Sequence, residues 1–333
     1  MSSRPYLQVD VFTAAKYRGN ALAVVLDGTG LDPAAMLGFA AWTNLAETTF
    51  VLPPTAPGAD LRVRIFTTTT ELPFAGHPVL GTVHAWLESG GVPARPGEVV
   101  IECGAGPVPV RLGQDADGER VLSFQAPALR RTGPLDPDVL EWAVAGLGLS
   151  PHDVLAHQWV ANGPNWAGLL LRDAEAVLGL EPDFAALAGL EVGVIGAYGA
   201  PGSAAGSYAG TAYDDGARPG RPKGARAELE PLPASPGEAA GGAFQAAVAS
   251  APADYEVRAF CPGEGLPEDP VTGSLNAGLA QWLIPNGLAP EHYTVRQGTR
   301  LGRTGQVGVA RDAEGIWISG RAVTCITGSV ELP

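Results

Sequence analysis

Short apolar runs, many alternating with polar residues and separated by Gly, Pro and Asp, fill most of the chain. A period of two marks half-buried strands, and the turn residues between them mark hairpins and loops. "YLQVDVF", "ALAVVLD", "TTFVLP", "LRVRIFT", "EVVIEC", "VPVRL" and "RVLSFQ" predict strands in the first part of the chain. After a change of texture at "APALRRTGPLDPDV", the segments "QWVAN", "AGLLLR", "VGVIGAY", "YEVRAF", "YTVRQG", "VGVAR", "IWISG" and "VTCITGSV" predict a second set. Two convincing helices stand out, "VLGTVHAWL" and "VTGSLNAGLAQWL", expected near 78–89 and 271–285. Both are too apolar to lie on a surface, and in a sheet-rich chain the natural enclosure is a curved sheet wrapped about each.

These elements predict an α+β protein of two domains, 1–130 and 131–333, each a curved, mainly antiparallel sheet around one central helix, with the last strand able to cross back. A Gly/Ala/Pro-rich stretch at 200–243 reads as an insertion outside the core. The 333 residues, 46% hydrophobic and 17% charged, are enough for two cores. A net charge of -14 repels polyanions, so nucleic acid and anionic membranes are not expected partners. No apolar run reaches membrane-spanning length and the N-terminus lacks a secretory apolar segment, which predicts a cytosolic protein. Cys103, Cys261 and Cys325 show neither disulfide nor zinc spacing and read as small buried hydrophobes.

An internal repeat carries the candidate chemistry. Pro78-Val79-Leu80-Gly81-Thr82 resembles Pro270-Val271-Thr272-Gly273-Ser274, and the same offset pairs Ala85 with Ala277 and Leu87 with Leu279. His77 precedes the first Pro and Asp269 the second, so both are expected at helix starts, with Asp269 as a cap and Pro in the first helical position. If two such N-termini face each other, their free N–H groups make a site for a carboxylate. The plainer alternative is that the prolines only start helices and Asp269 only caps one.

Glu47 is the other candidate. In "WTNLAETTF" it stands among Trp42, Leu45 and Phe50 at the mouth of an apolar strand. A carboxylate there is either a hydrogen-bonded structural acid or one whose pKa is raised by desolvation. His84 reads as a core histidine, while His152, His157 and His292 lack neighbours at metal-ligand spacing. Trp159 and Trp166 flank "ANGPN", where they could line a pocket, but aromatic packing is the preferred reading. No nucleotide-binding glycine motif and no nucleophilic-serine motif occurs.

"GNALAVVLD", "WTNLAETTFVLPP", "RIFTTTTELPFAGHPVLGT", "ANGPNW" and "FCPGEGLPEDPVTGS" resemble the phenazine-biosynthesis F-type (PhzF-like) isomerases, relatives of diaminopimelate epimerase. The resemblance runs from about residue 8 to the C-terminus, with 200–243 as the insertion. It implies the diaminopimelate epimerase-like fold, a site in the interdomain cleft, and proton movement without metal or cofactor. It assigns Glu47 as general acid/base, His77 and Asp269 as polar groups at the helix starts, and Ser274 as a hydroxyl beside the substrate. Gly76 and Gly273 match amide positions that bind a substrate carboxylate, and Asn20 matches an asparagine of the opening motif. No cysteine falls at a helix start, so a two-thiol racemase is not expected. "TTTT" at 67–70 and "GRTGQV" match the family's pattern only loosely.

The function implied is an isomerase that shifts a proton and double bond in a small carboxylated substrate of specialised metabolism, such as antibiotic or phenazine-like biosynthesis. The expected partners are that substrate and a second copy in a homodimer. A thiol-independent epimerase or racemase using Glu47 and Asp269, and a non-catalytic ligand-binding relative, remain alternatives.

Overall fold

The computed structural model describes residues 1–115, 117–199, 253–263 and 267–333; the stretch read as an insertion at 200–243 lies outside them. The first half runs β1 (Ser2–Val11), β2 (Asn20–Val25), α1 (Pro33–Thr43), β3 (Glu47–Leu52), β4 (Leu61–Phe66), β5 (Glu71–Leu72), α2 (Gly76–Glu88), β6 (Glu98–Cys103), β7 (Gly106–Gln114) and β8 (Arg120–Gln125). The second runs α3 (Pro137–Gly146), β9 (Val154–Trp159), β10 (Ala167–Leu171), α4 (Ala174–Leu178), β11 (Val192–Ala197), β12 (Tyr255–Phe260), β13 (Glu268–Asp269), α5 (Gly273–Leu283), β14 (His292–Gln297), β15 (Gly305–Asp312), β16 (Gly315–Gly320) and β17 (Ala322–Leu332).

Strand pairing repeats between the halves. β1 is antiparallel to β2, β2 parallel to β3, β3 antiparallel to β4, β4 parallel to β6, and β6, β7 and β8 are successively antiparallel. β9 to β16 follow the same order of antiparallel and parallel pairings, with β13 on β12 as β5 is on β4. Two further pairings join the halves: β8 with β16, and β17, which returns antiparallel to β1 along its length. Each half wraps one central helix. α2 packs on β1, β2, β3, β6 and β8, α5 on β15 and β16, and the two helices touch. Val79, Leu80 and Val83 of α2 and Leu275, Leu279 and Leu283 of α5 are withdrawn from water, each stabilising the fold by roughly 1.5–3 kcal/mol.

The structure corrects the register of the repeat. α2 begins at Gly76 and α5 at Gly273, each separated by three residues from a two-residue strand, so "ELPFAGH" (71–77) corresponds to "EDPVTGS" (268–274). Pro73 therefore matches Pro270, Leu72 matches Asp269, and His77 matches Ser274, not Asp269. The preceding strands agree: Phe66 pairs with Glu71 as Phe260 pairs with Glu268. Arg64 clasps Glu71 through both carboxylate oxygens at 2.7 and 2.6 Å, and Arg258 clasps Glu268 at 2.9 and 2.8 Å. The shared "PV" of the two helix segments drew the sequence alignment to the wrong frame.

α1, α3 and α4 add to the two predicted helices. "PAAMLGFAAWT" is apolar on nearly every side, so no stripe marks it as a helix. Its start is nevertheless encoded, because Asp32 accepts from Ala35 N at 2.7 Å with Pro33 behind it.

Candidate active site

Glu47 opens β3, opposite Leu22 of the parallel β2. Asn44, in the left-handed region at φ 56, ends α1 and turns the chain into the strand, a conformation Asn tolerates well. Alternation along β3 then sets what Glu47 faces. Thr49, two residues on, has its Oγ1 2.8 Å from Thr82 Oγ1 of α2, so Glu47 points to the α2 side. Phe50 points to the other face, with Val25, Met36 and Ala40, and Trp42 is 81% exposed. The expected apolar nest of Trp42 and Phe50 around Glu47 is therefore absent. Its neighbour is His77, whose Nε2 lies 3.1 Å from Glu47 Oε2, with both side chains largely buried.

His77 is the second residue of α2 and Asp269 closes β13. Asp269 is not a helix cap: Thr272 is the cap residue of α5, and no side chain caps either helix start. Nor is a proline first in either helix. Pro78 is third in α2, where its missing N–H leaves nothing unpaired, and Pro270 lies outside α5. The Asp269 carboxylate instead accepts from Thr272 Oγ1 at 2.7 Å and from Asn20 Nδ2 at 2.9 Å. Asn20 knits the halves together, since its amide nitrogen also donates to Val271 O at 2.9 Å and lies 3.4 Å from His77 Nδ1.

Three titratable groups thus share one buried junction. Burial and the charge of Glu47 push Asp269 up to about 6, against the opposing pull of His77, Thr272 and Asn20. Burial alone would depress His77, but the charge and contact of Glu47, with Asp269 and Asp10 behind, hold it above the ordinary histidine value. Asp269 therefore keeps its proton to a higher pH than a free carboxyl, and His77 to a higher pH than a free imidazole.

The helix starts meet beside this junction. A Cβ on Gly76 would stand 2.5 Å from Phe124 Cζ; one on Gly273 would stand 3.3 Å from the same atom and 3.5 Å from Gly76 Cα. Glycine at both positions lets the two N-termini converge over one ring, each with uncapped N–H groups. Ser274, second in α5, accepts at Oγ from Trp166 Nε1 at 3.1 Å, and its carbonyl accepts from Asn162 Nδ2 at 2.9 Å. An indole N–H can only donate, so the Ser274 hydroxyl hydrogen is left for another acceptor.

The structure brings Asn20, Glu47, His77 and Asp269 into one chain of contacts, with Gly76, Gly273 and Ser274 at the adjoining helix starts. Sequence reasoning missed Thr272, Asn276 and Gln297, the shell behind Asp269, and preferred packing to pocket lining for Trp166. Thr272 was signalled by its place in "EDPVTGS"; Gln297 carried no signal. "GRTGQV" lies against the loop before Asn20, where Arg303 donates to Gly19 O at 3.3 Å and Thr304 N to Arg18 O at 2.8 Å. His84 is the satisfied core histidine expected, 3.0 Å from Thr324 Oγ1.

Residues 9–212 and 235–328 match the profile of the phenazine biosynthesis-like protein family. Over 98% of its length the chain is 28% identical to antisense-enhancing sequence 1 of Schizosaccharomyces pombe, covering 99% of that protein. It is 26% identical to a trans-2,3-dihydro-3-hydroxyanthranilate isomerase of Pseudomonas fluorescens, covering 98% of this chain and 99% of that one. Among solved structures, a Bacillus anthracis phenazine biosynthesis protein shares the fold with TM-score 0.70 at 21% identity, over 99% of this chain and 100% of its own. A hydroxyproline epimerase from Agrobacterium vitis, with bound trans-4-hydroxy-L-proline, shares it with TM-score 0.52 at 14% identity, over 98% of this chain and 92% of its own. With its duplicated sheet-around-helix halves and near-complete match, the chain belongs to the phenazine biosynthesis-like protein family, whose named relatives include isomerases.

Proposed function

We propose that this protein is an isomerase that moves a proton, and with it a double bond, within a small carboxylated substrate. The observation that carries the reading is the Glu47–His77 contact of 3.1 Å on a buried junction with Asp269, beside two uncapped helix starts. The substrate carboxylate docks on the amides of Gly76 and Gly273, where backbone N–H groups also stabilise the charge that develops as the carbon acid ionises. Glu47 takes a proton from carbon, the C–H electron pair moves into the conjugated system, and a proton is returned at a second atom. His77, in contact with Glu47, tunes and relays that proton; Asp269, with a pKa of about 6, is poised to exchange one with a substrate heteroatom. The Ser274 hydroxyl, its oxygen occupied by Trp166, donates to the substrate. The scheme needs no cofactor, because every step moves a proton between carboxyl, imidazole and carbon.

The name of the Pseudomonas fluorescens relative supports a carboxylated ring as substrate, and the family description supports phenazine-like biosynthesis as the setting, within specialised metabolism of the antibiotic kind. An epimerase is the second reading, favoured by the presence of two carboxyl groups, Glu47 and Asp269, on either side of His77. Incubation of trans-2,3-dihydro-3-hydroxyanthranilate, and separately of cyclic amino acids, in D2O tests both. Deuterium at a new carbon with a shifted double bond supports the isomerase; deuterium at an inverted stereocentre supports the epimerase. Binding without turnover or exchange for every probe would overturn both and leave a ligand-binding protein.

A further inference from the structure

We propose that Gln297 is a positioning residue for Asp269, fixing through Thr272 the direction in which hydrogen bonds reach that carboxylate. The inference rests on the reading that Asp269 belongs to the proton-moving site, but it can be tested without substrate.

Gln297 ends β14 and is fully buried, so its amide must find partners within the protein. Its Oε1 lies 3.1 Å from Thr272 N and 2.9 Å from Asn276 Nδ2; its Nε2 lies 2.8 Å from Thr272 Oγ1 and 3.2 Å from the Asp269 carbonyl. A backbone N–H only donates, so the oxygen of the amide must face Thr272 N. The nitrogen then necessarily donates to Thr272 Oγ1. Thr272 has a single hydroxyl hydrogen, and with its oxygen engaged by Gln297 that hydrogen goes to Asp269 Oδ2, 2.7 Å away. Asn20 supplies the matching donor to Oδ1. One backbone N–H thus sets the polarity of a relay four groups long.

The groups facing Asp269 are His77 of α2, Glu47 of β3, Asn20 of β2 and Thr272 of its own loop, with Asp10 of β1 beyond His77. Burial and Glu47 favour its protonated form, while His77, Thr272 and Asn20 favour the ionised form. The Gln297 relay holds the Thr272 donor on the ionised side. Without it the Thr272 hydroxyl is neither oriented nor polarised by the amide, its bond to Oδ2 weakens, and Asp269 keeps its proton to higher pH.

The test is the 13C titration of the Asp269 side-chain carboxyl in substrate-free protein, assigned by its loss in Asp269→Asn. The wild-type midpoint is expected at about 6. Thr272→Val should raise it by about one pH unit, the effect of a lost donor to the charged form. Gln297→Met should raise it in the same direction by a smaller amount, Thr272→Ser should leave it in place, and Gln297→Met should add nothing in the Thr272→Val background. A Gln297→Met midpoint equal to wild type, or an equal rise in both backgrounds, overturns the proposal. Should Gln297→Met not fold, a Thr272→Val midpoint equal to wild type overturns it on its own. Because no turnover is measured, failure here differs from failure of the isomerase reading.

Discussion

Asp269→Asn should make the protein more stable at pH 8 than at pH 4 relative to wild type, while abolishing proton transfer at that position. Burial and Glu47 raise Asp269 from an ordinary 3.8 to about 6 in the folded state. The unfolded chain ionises first, so between those values the folded protein binds more protons and its stability falls as pH rises. The contribution is complete below about 4 and lost above about 6. A difference of about two units corresponds to about 3 kcal/mol, a ceiling here, because Asp269 keeps some solvent contact and His77 loses a carboxylate partner in the variant. The amide also cannot accept from both Thr272 and Asn20, which costs about 1 kcal/mol at every pH. Net stabilisation at pH 8 is therefore about 2 kcal/mol at most, and at pH 4 there is a small loss. Urea midpoints of both proteins from pH 4 to 8, at unchanged slope, measure it. Parallel stability curves would show that Asp269 titrates normally in the fold and would refute the raised carboxyl at the junction.

Glu47→Gln should lower turnover by about a hundred- to ten-thousandfold, as loss of a general base does, with Tm little changed; activity within tenfold removes Glu47 from the chemistry. Trp166→Phe should lower kcat/KM about tenfold, the equivalent of one hydrogen bond of about 1.4 kcal/mol, and should add nothing to Ser274→Ala; additive losses would detach the indole from the serine. The two arginine clasps should differ in a denaturation assay. Arg258→Met leaves Glu268 buried and unpaired and should cost about 3–5 kcal/mol, whereas Arg64→Met, at a partly exposed pair, should cost no more than about 1 kcal/mol.

The strands were legible because their two-residue alternation is a local property. Each predicted strand from "YLQVDVF" to "VTCITGSV" lies on an observed one except "QWVAN", of which only Gln158 and Trp159 belong to β9 and the rest is loop. The three extra helices were not legible: α4 is a single turn, and α1 and α3 carry capping or proline signals without a clear apolar stripe. The resemblance supplied the grouping of Glu47, His77 and Asp269, which no spacing along one chain could give, because the contacts cross between halves through Asn20. What surrounds Glu47 was misread because neighbours in sequence on a strand point to opposite faces; Phe50 is three residues away and belongs to a different core. The Gln297 relay was invisible for a related reason. An amide at a strand end gains meaning only when the fold brings Thr272, Asn276 and Asp269 to it.

The two halves share one frame, and the departures from its symmetry fall on the residues that the proposed function uses. The clasps of Arg64 with Glu71 and Arg258 with Glu268, and the helix-start glycines Gly76 and Gly273, are the same in both halves because they fix the backbone that turns from strand into helix. At the positions beside these the halves differ: Leu72 stands where Asp269 does, Ala75 where Thr272 does, and His77 where Ser274 does. Glu47 opens β3, whereas Val192 opens the corresponding β11. On the proposed function, one half supplies a base and its imidazole and the other an acid and a hydroxyl, across a carboxylate site to which both contribute amides. A symmetric pair of bases suits removal and return of a proton at one carbon from opposite faces. An unequal set suits moving it between atoms of different basicity, and the swapped residues lean toward that second chemistry.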